Sequence, residues 1–326
     1  MSDQIRIGSR GSELALWQSK WVQEELRKRF KNLDVVIQII KTKGDKILDS
    51  PLSKIGDKGL FTREIEQALL DGKIDIAVHS LKDLPTELPD GLTIGAVCKR
   101  EDARDVFIPH PQNANRSLLA QPSGAKIATG SLRRKCQLLN LRPDFEIVDI
   151  RGNLNTRLEK LGKSDWAGMI LARAGVVRLG WEERIGETIS VANLLPAVGQ
   201  GALAVEMRLG DKKTEAKVSA LHDVESAQAV LAERALLRTL EGGCQVPIGT
   251  YGRIETKDDR RELFLDAVVG SVDGRKVVRG KIHGSVDEAE ALGEKLARTL
   301  LGSGADAILR QIRGQVPRLV SEQVGV

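Results

Sequence analysis

Aromatic residues, cysteines and long apolar runs are all scarce in this sequence. Only 3% of its 326 residues are aromatic, which leaves few side chains for stacking nucleic-acid bases. Its three cysteines are far apart and odd in number, so reduced thiols in a cytosolic setting are expected and a disulfide framework is not. No run of about 18 apolar residues occurs, and the first residues lack a secretion signal, so neither a membrane helix nor export is predicted.

Several common functional motifs are also missing. The sequence has no G-x-x-x-x-G-K-[ST] phosphate loop and no G-x-S-x-G elbow. Gly302-Ser303-Gly304 lacks the preceding strand and following helix of a dinucleotide site. The four histidines are scattered without ligand spacing, so no metal site is predicted. The net charge of +5 is too small to indicate a nucleic-acid coat.

The chain is long enough for two or three domains. Its first two-thirds repeats a pattern of apolar strand, polar loop and helix, which predicts two α/β units with largely parallel sheets. The last third combines two helices with three strands, which is typical of a small α+β domain. The charged stretch from Thr42 to Lys58 has weak periodicity and predicts a lid. The proline-containing stretch from Arg100 to Ser123 is interpreted as a crossing between the two units.

Four of the predicted strand-to-helix loops share one composition, in which small or hydroxyl residues accompany arginine. Free N–H groups at a helix start favour anions, and the arginine fork matches a carboxylate. Such loops line one crevice at the carboxyl ends of the strands. For any single loop, a helix cap and a solvated arginine are the simpler interpretation, but four together favour an anion site. This pattern does not separate carboxylate from phosphate. The loops are Gly8–Ser12, Thr129–Arg134, Arg151–Asn153 and Arg173–Gly175.

Two further residues could carry chemistry. Asp83 directly follows a buried strand, where it could stabilise a cation or move a proton, although a turn cap is the simpler interpretation. Cys244 follows a Gly-Gly break on a loop and could be a nucleophile or an attachment point. For a lone cysteine, burial as a small apolar residue is the usual alternative, and Cys98 and Cys136 fit that alternative.

Together the ordered motifs closely resemble the porphobilinogen deaminase family, also called hydroxymethylbilane synthases, over nearly the whole chain. The motifs are Ser9-Arg10-Gly11-Ser12-Glu13-Leu14-Ala15, Lys58-Gly59-Leu60-Phe61, Val78-His79-Ser80-Leu81-Lys82-Asp83-Leu84-Pro85, Gly130-Ser131-Leu132-Arg133-Arg134, Arg151-Gly152-Asn153, Gly199-Gln200-Gly201 and Gly242-Gly243-Cys244.

The resemblance implies an enzyme that joins four porphobilinogen molecules head to tail and releases ammonia and 1-hydroxymethylbilane, in tetrapyrrole biosynthesis. It implies a dipyrromethane cofactor held by a thioether to Cys244, with Asp83 as the catalytic residue. Lys58 and Phe61 would belong to the lid. The family's carboxylate-binding residues fall on Arg10, Ser12, Lys82, Thr129, Ser131, Arg133, Arg134, Arg151, Gly152, Arg157 and Arg178.

The resemblance also implies two periplasmic-binding-protein-like α/β domains and a third small α+β domain. We expect domain 1 at residues 1–99 plus 200–218, domain 2 at 100–199, and domain 3, which carries Cys244, at 219–326. A cytoplasmic monomer that binds neither nucleic acid nor membrane is expected, or a plastid form if a transit peptide has been removed. The main rival is a two-lobed solute-binding protein, which would need neither Cys244 nor Asp83. A nucleic-acid binder is the second rival.

Overall fold

Two five-stranded sheets and one three-stranded sheet organise the protein, in a computed structural model that describes residues 3–46, 62–113, 115–240, 246–257 and 260–315. The predicted fold class, with two α/β domains and a third small α+β domain, is confirmed. Cys244, Lys58 and Phe61 lie outside the described residues. No helix of the described residues is both long and apolar enough to cross a bilayer.

The first sheet has the strand order β2-β1-β3-β10-β4. Strand β1 is parallel to β2 and β3, whereas β10 is antiparallel to both of its neighbours. The sheet is mixed, but four of its five strands run in one direction, as expected of a largely parallel sheet. Strand β10 is the exception, because it enters this sheet on the chain's return from the second one. The strands are β1 (Asp3–Ser9), β2 (Leu33–Ile39), β3 (Ile76–Ser80), β4 (Leu92–Val97) and β10 (Leu203–Arg208).

The second sheet repeats this arrangement with the order β7-β6-β8-β5-β9. Strand β5 is antiparallel to β8 and β9, so this sheet is mixed as well. The stretch from Arg100 to Ser123, expected to be only a crossing, contains β5 as a fully buried strand. Its apolar run of three residues is too short to identify a strand by alternation. The strands are β5 (Asp105–Pro109), β6 (Lys126–Ala128), β7 (Glu146–Val148), β8 (Gly168–Ala172) and β9 (Glu187–Thr188).

Helices follow the parallel strands and begin at one edge of each sheet. Ser12, Ser131 and Asn153 cap three of them by accepting hydrogen bonds from backbone N–H groups of the first turn. The free N–H groups of these first turns therefore lie at the carboxyl ends of the strands. The helices of the first two-thirds are α1 (Glu13–Arg29), α2 (Lys43–Lys46), α3 (Arg63–Leu70), α4 (Leu132–Leu141), α5 (Leu154–Gly162), α6 (Arg173–Arg178) and α7 (Lys212–Val218).

The last third packs helices on one face of an antiparallel meander. Residues such as Leu236, Leu265 and Leu296 form a core of its own between the sheet and the helices. The elements are α8 (Val224–Thr239), β11 (Ile248–Lys257), β12 (Arg260–Gly270), β13 (Val277–Ser285), α9 (Ala289–Leu300) and α10 (Asp306–Gln315).

The chain passes between the two large sheets twice, from β4 to β5 and from β9 to β10. The second passage contains Gly199 and Gly201, both with positive φ. A Cβ atom on Gly201 would lie 2.3 Å from the carbonyl oxygen of Glu101 in the first passage. Glycine is therefore required there, because the two passages are in direct backbone contact.

Candidate active site

A buried carboxylate, Asp105, organises the arginine pair at the start of α4. Its side chain is completely buried and accepts hydrogen bonds from Arg133 Nη1 and Arg134 Nη2, each over 2.7 Å. Gln200 Nε2 donates to the same carboxylate over 2.9 Å. Burial alone would raise the pKa of Asp105, but the two guanidinium groups hold it well below its usual range. Asp105 is therefore an ionised anchor inside the protein.

Arg133 and Arg134 differ in the hydrogen bonds that their guanidinium groups form. Arg133 also donates to the carbonyl oxygen of Leu195 over 2.7 Å and is 5% exposed. Arg134 donates to the carbonyl oxygen of Ile170, but its Nε atom is buried without a hydrogen-bond partner among the described residues. A buried unsatisfied donor costs free energy unless a ligand or water pairs with it. Arg134 is thus the member of the pair with a donor that the described residues do not use.

Asp83 lies on the short 3₁₀ turn that follows β3, and its side chain is exposed. Burial lowers the pKa of the neighbouring Lys82 to about 8, an effect that Asp83 opposes and Arg134 reinforces. Burial likewise lowers the pKa of Arg157 to about 10, with Arg134 and Arg151 adding to the shift and Asp83 opposing it. The charges of Asp83 and Arg134 thus affect the pKa of both Lys82 and Arg157, which indicates that residues from the two large sheets share one site.

The loop between β7 and α5 fixes two of these cations. Arg157 Nε donates to the carbonyl oxygen of Gly152 over 2.9 Å, and Arg151 Nε donates to Asp149 over 3.3 Å. Gly152 has a φ of +111°, which other residues rarely adopt. A side chain at Gly152 would also lie 2.8 Å from Thr156. This glycine therefore allows the tight turn that presents both arginines at the cleft.

The remaining predicted residues line the same edge or brace it. The Ser12 and Ser131 hydroxyls cap α1 and α4, so the capping interpretation is correct for their hydrogen bonds. Thr129 is buried, and its hydroxyl accepts from the Ser131 N–H over 3.3 Å. Arg10 is half-buried in the loop after β1.

Arg178 connects the cleft to the second passage between the sheets. Its Nη2 atom donates to the carbonyl oxygen of Gly201 over 2.7 Å, and its guanidinium lies 5.8 Å from the centre of the Trp17 ring. Nearby, Asn155 donates to Glu13 over 2.7 Å. Helix α1 of the first sheet therefore contacts α5 and α6 of the second sheet beside the cleft.

Sequence reasoning missed a second buried anchor, Glu233 on α8. This fully buried carboxylate accepts from Arg100 over 2.6 Å, and from the N–H groups of Gly199 and Gly252 over 2.6 and 2.7 Å. Arg100 also donates to the carbonyl oxygen of Gln200 over 2.8 Å. Glu233 thus joins both passages to the third domain. Its position in the middle of an apolar helical face was the signal available in the sequence.

The two described cysteines are structural. Cys98 and Cys136 are completely buried, and burial raises the pKa of each thiol to about 12. Neither forms a reactive thiolate near neutral pH, so the expectation that both are core residues is confirmed.

Family models match both parts of the chain. Residues 5–216 match the model described as "Porphobilinogen deaminase, dipyromethane cofactor binding domain", and residues 227–302 match "Porphobilinogen deaminase, C-terminal domain". The chain belongs to the porphobilinogen deaminase family. The porphobilinogen deaminase of Chlorobaculum parvum is 51% identical over 316 residues, which cover 96% of this chain and 99% of that protein. The porphobilinogen deaminase of Chloroherpeton thalassium is 49% identical over 317 residues, with the same coverage.

Several solved structures align with about two-thirds of the chain at low sequence identity. The periplasmic VFT2 domain of Bordetella pertussis BvgS aligns with a TM-score of 0.40 and 14% identity, covering 67% of this chain and 86% of that domain. The methionine binding protein MetQ aligns with a TM-score of 0.39 and 14% identity, covering 72% and 92%. The porphobilinogen deaminase family assignment does not depend on these similarities.

We expect Asp105→Asn to lower the free energy of unfolding by about 3–5 kcal/mol, because it leaves two buried guanidinium charges without their anion. The control is Asp165→Asn, which removes the partner of Lys126 from an exposed ion pair and should cost less than about 1 kcal/mol. Urea unfolding at pH 7 measures both. Equal losses in the two variants would show that Asp105 is not the anchor of the arginine pair.

Proposed function

We propose that this protein condenses four porphobilinogen molecules head to tail and releases 1-hydroxymethylbilane and four ammonia molecules, with water completing the release. The observation that carries this proposal is the cationic cleft around Asp83 in a chain of the porphobilinogen deaminase family. Each porphobilinogen brings two carboxylates, so a chain reaching six pyrroles brings twelve. A nearly neutral protein that gathers its arginines at one edge of two sheets suits such a ligand.

The chemistry of the donor set fits a dipyrromethane group. Carboxylate arms need cations and N–H donors, and the cleft offers Lys82, Arg157 and the unpaired Nε of Arg134. When bound, the group would supply the nucleophilic pyrrole ring to which substrate is added. We propose Cys244 as the residue that holds it through a thioether, acting as a permanent anchor rather than as a nucleophile in each turnover.

We assign carboxylate binding to residues from both large sheets, with different functions within the set. Lys82, Arg134, Arg151 and Arg157 would contact carboxylates directly, since their charges converge on one site. Arg133 and Arg178 would support the site without contacting a carboxylate, because both are buried and donate to carbonyl oxygens at or beside the second passage. The other proposed members, which would bind through loop and cap groups, are Arg10, Ser12, Thr129, Ser131 and Gly152.

Asp83 would be the catalytic residue. Its exposed carboxylate can stabilise the positive charge that develops on the substrate as ammonia leaves. It can also accept the proton lost when the new carbon–carbon bond forms. Lys58 and Phe61 would belong to the lid over this site.

The domain division proposed from the sequence, at residues 1–99 plus 200–218, 100–199 and 219–326, is supported by the membership of β10 in the first sheet. We further propose that the protein acts as a monomer in the cytoplasm. No nucleic-acid or membrane partner is proposed.

The cofactor proposal predicts a covalent mass increase. Protein produced in cells that make porphobilinogen should be heavier than its sequence mass by two pyrrole units, and Cys244→Ser should lack the increase. Cys98→Ser, which alters a buried thiol, is the matched control and should keep it. Intact-mass spectrometry measures the increase, and an unmodified wild-type protein would exclude the proposed cofactor.

Asp83→Asn should reduce turnover by about 10²-fold or more, because the amide neither carries the charge nor accepts the proton. The variant should still carry the pyrrole mass increase and unfold at the wild-type urea concentration, since Asp83 is exposed. The rate is measured as product formed from porphobilinogen. Turnover close to the wild-type rate would remove Asp83 from the catalytic role.

The lowered pKa of Lys82 predicts a pH effect on substrate binding. Its ammonium loses the proton as the pH rises through about 8, so KM for porphobilinogen should rise on the alkaline side. Lys82→Arg keeps its charge there and should move the rise to higher pH. Any effect of substrate ionisation on KM is the same for the wild type and for Lys82→Arg. Coincident KM–pH profiles would contradict a direct contact between Lys82 and substrate.

A further inference from the structure

Three ionisable side chains outside the cationic cleft are buried together between α3 and the first sheet. Glu206 on β10 is 0% exposed, while His79 on β3 and Glu66 on α3 are each 7% exposed. None of them belongs to the proposed catalytic or carboxylate-binding set. Buried ionisable groups are costly unless they are paired, so their arrangement calls for a physical account.

The strand register places two of them on one face of the sheet. His79 on β3 lies opposite Ala204 on β10. Glu206 lies two residues beyond Ala204 on β10, opposite Ala77 of β3. Residues two apart share a face. Ala77 and Ala204 are small, which leaves space beneath α3 for the longer side chains. The apolar residues of α3 pack on this face, and Glu66 lies between them.

The hydrogen bonds satisfy the cluster only in part. His79 Nε2 and Glu206 Oε2 are 3.0 Å apart. The second oxygen of Glu206 and Oε1 of Glu66 have no hydrogen-bond partner among the described residues. Two buried carboxylates in one site cannot both be ionised beside a single histidine without a large cost. A carboxylic acid that keeps its proton lowers this cost, because burying the neutral form is less unfavourable than burying a charge.

The position of the cluster connects two parts of the proposed active site. Helix α3 follows the predicted lid stretch, and its residue Glu64 also accepts a hydrogen bond from the Lys43 N–H, at the start of that stretch. On the sheet side, β3 carries His79 and continues directly into the turn with Lys82 and Asp83. The cluster therefore lies between α3 and the strand that leads into the turn with Asp83.

We propose that His79, Glu206 and Glu66 form a buried positioning cluster that fixes α3 against the strand carrying Lys82 and Asp83, with Glu66 as its uncharged member. This inference rests on the proposed function for its effect on turnover. The three residues are positioning residues, since none of them belongs to the proposed catalytic or carboxylate-binding set.

The electrostatics of Glu66 support its neutral form. Burial raises the pKa of Glu66, and the Glu206 carboxylate adds to the effect, while Thr62, His79 and Arg63 oppose it. An acid whose pKa is raised in the folded state stabilises the fold below its ordinary pKa, 4.5 for Glu66. That stabilisation is lost as the pH rises through the folded-state value. Wild-type protein should therefore lose stability with rising pH in a way that a neutral substitute does not.

The first test compares Glu66→Gln with the wild type in urea unfolding at pH 5.5 and pH 8.5. The amide mimics the neutral acid. The urea midpoint of the variant minus that of the wild type should therefore be larger at pH 8.5 than at pH 5.5. Other titrating groups are common to both proteins. A constant difference between the midpoints would overturn the neutral Glu66. This measurement needs no substrate and so holds whether or not the proposed function is correct.

The second test measures steady-state turnover of porphobilinogen by the cofactor-loaded protein. Glu206→Gln should lower kcat by about tenfold or more, because a small displacement of a catalytic group has that effect, while KM changes less than twofold. Glu66→Gln should stay within about twofold of the wild type in both constants. The matched control is Glu262→Gln, because Glu262 pairs with His283 over the same 3.0 Å but on the exposed face of the third domain.

Intact mass and circular dichroism establish that each variant is loaded and folded before its rate is compared. A kcat for Glu206→Gln equal to that of Glu262→Gln would overturn the positioning role and leave the cluster as a structural contact. If Glu206→Gln does not fold, His79→Gln replaces it with the same expected loss of kcat. A wild-type protein without turnover would contradict the proposed function instead, and the first test would still decide the protonation of Glu66.

Discussion

The carboxylate of Asp105 is the interaction on which the arrangement of the cleft depends. It brings two guanidinium groups from the start of α4 and the amide of Gln200 to a single buried anion. Three buried charges are tolerated only when each is paired and hydrogen-bonded, because each has lost its hydration. The orientation of Arg133 and Arg134 is thus set by the protein before any ligand arrives, and a bound carboxylate would not have to order them.

Glu233 extends this arrangement to the third domain. Through Arg100 and Gln200, hydrogen bonds run from α8 across both passages to Asp105 and the arginines. The helix that carries Glu233 ends at Thr239, five residues before Cys244. Helix α8 and the proposed carboxylate ligands are therefore joined by one network of buried hydrogen bonds.

Much of the fold and part of the site could be predicted from the sequence. Strand-loop-helix repeats identify the helix starts at Ser12, Ser131 and Asn153, because caps are local features. Strand β5 was missed because its apolar run is short and ends at Pro109. The internal partners of Arg133 and Arg178 could not be predicted either. A buried ion pair joins residues that are distant in sequence, as Asp105 and Arg133 are, and periodicity carries no information about such pairs.

The place of β10 in the first sheet has a consequence for synthesis on the ribosome. Within the described ranges, strand β4 pairs only with β10, and β3 has β10 as its second neighbour. The first sheet therefore remains incomplete until residues 203–208 have emerged, after all five strands of the second sheet. The lobe that begins the chain is completed after the lobe that follows it, and until then β3 presents an open edge on which other chains could pair.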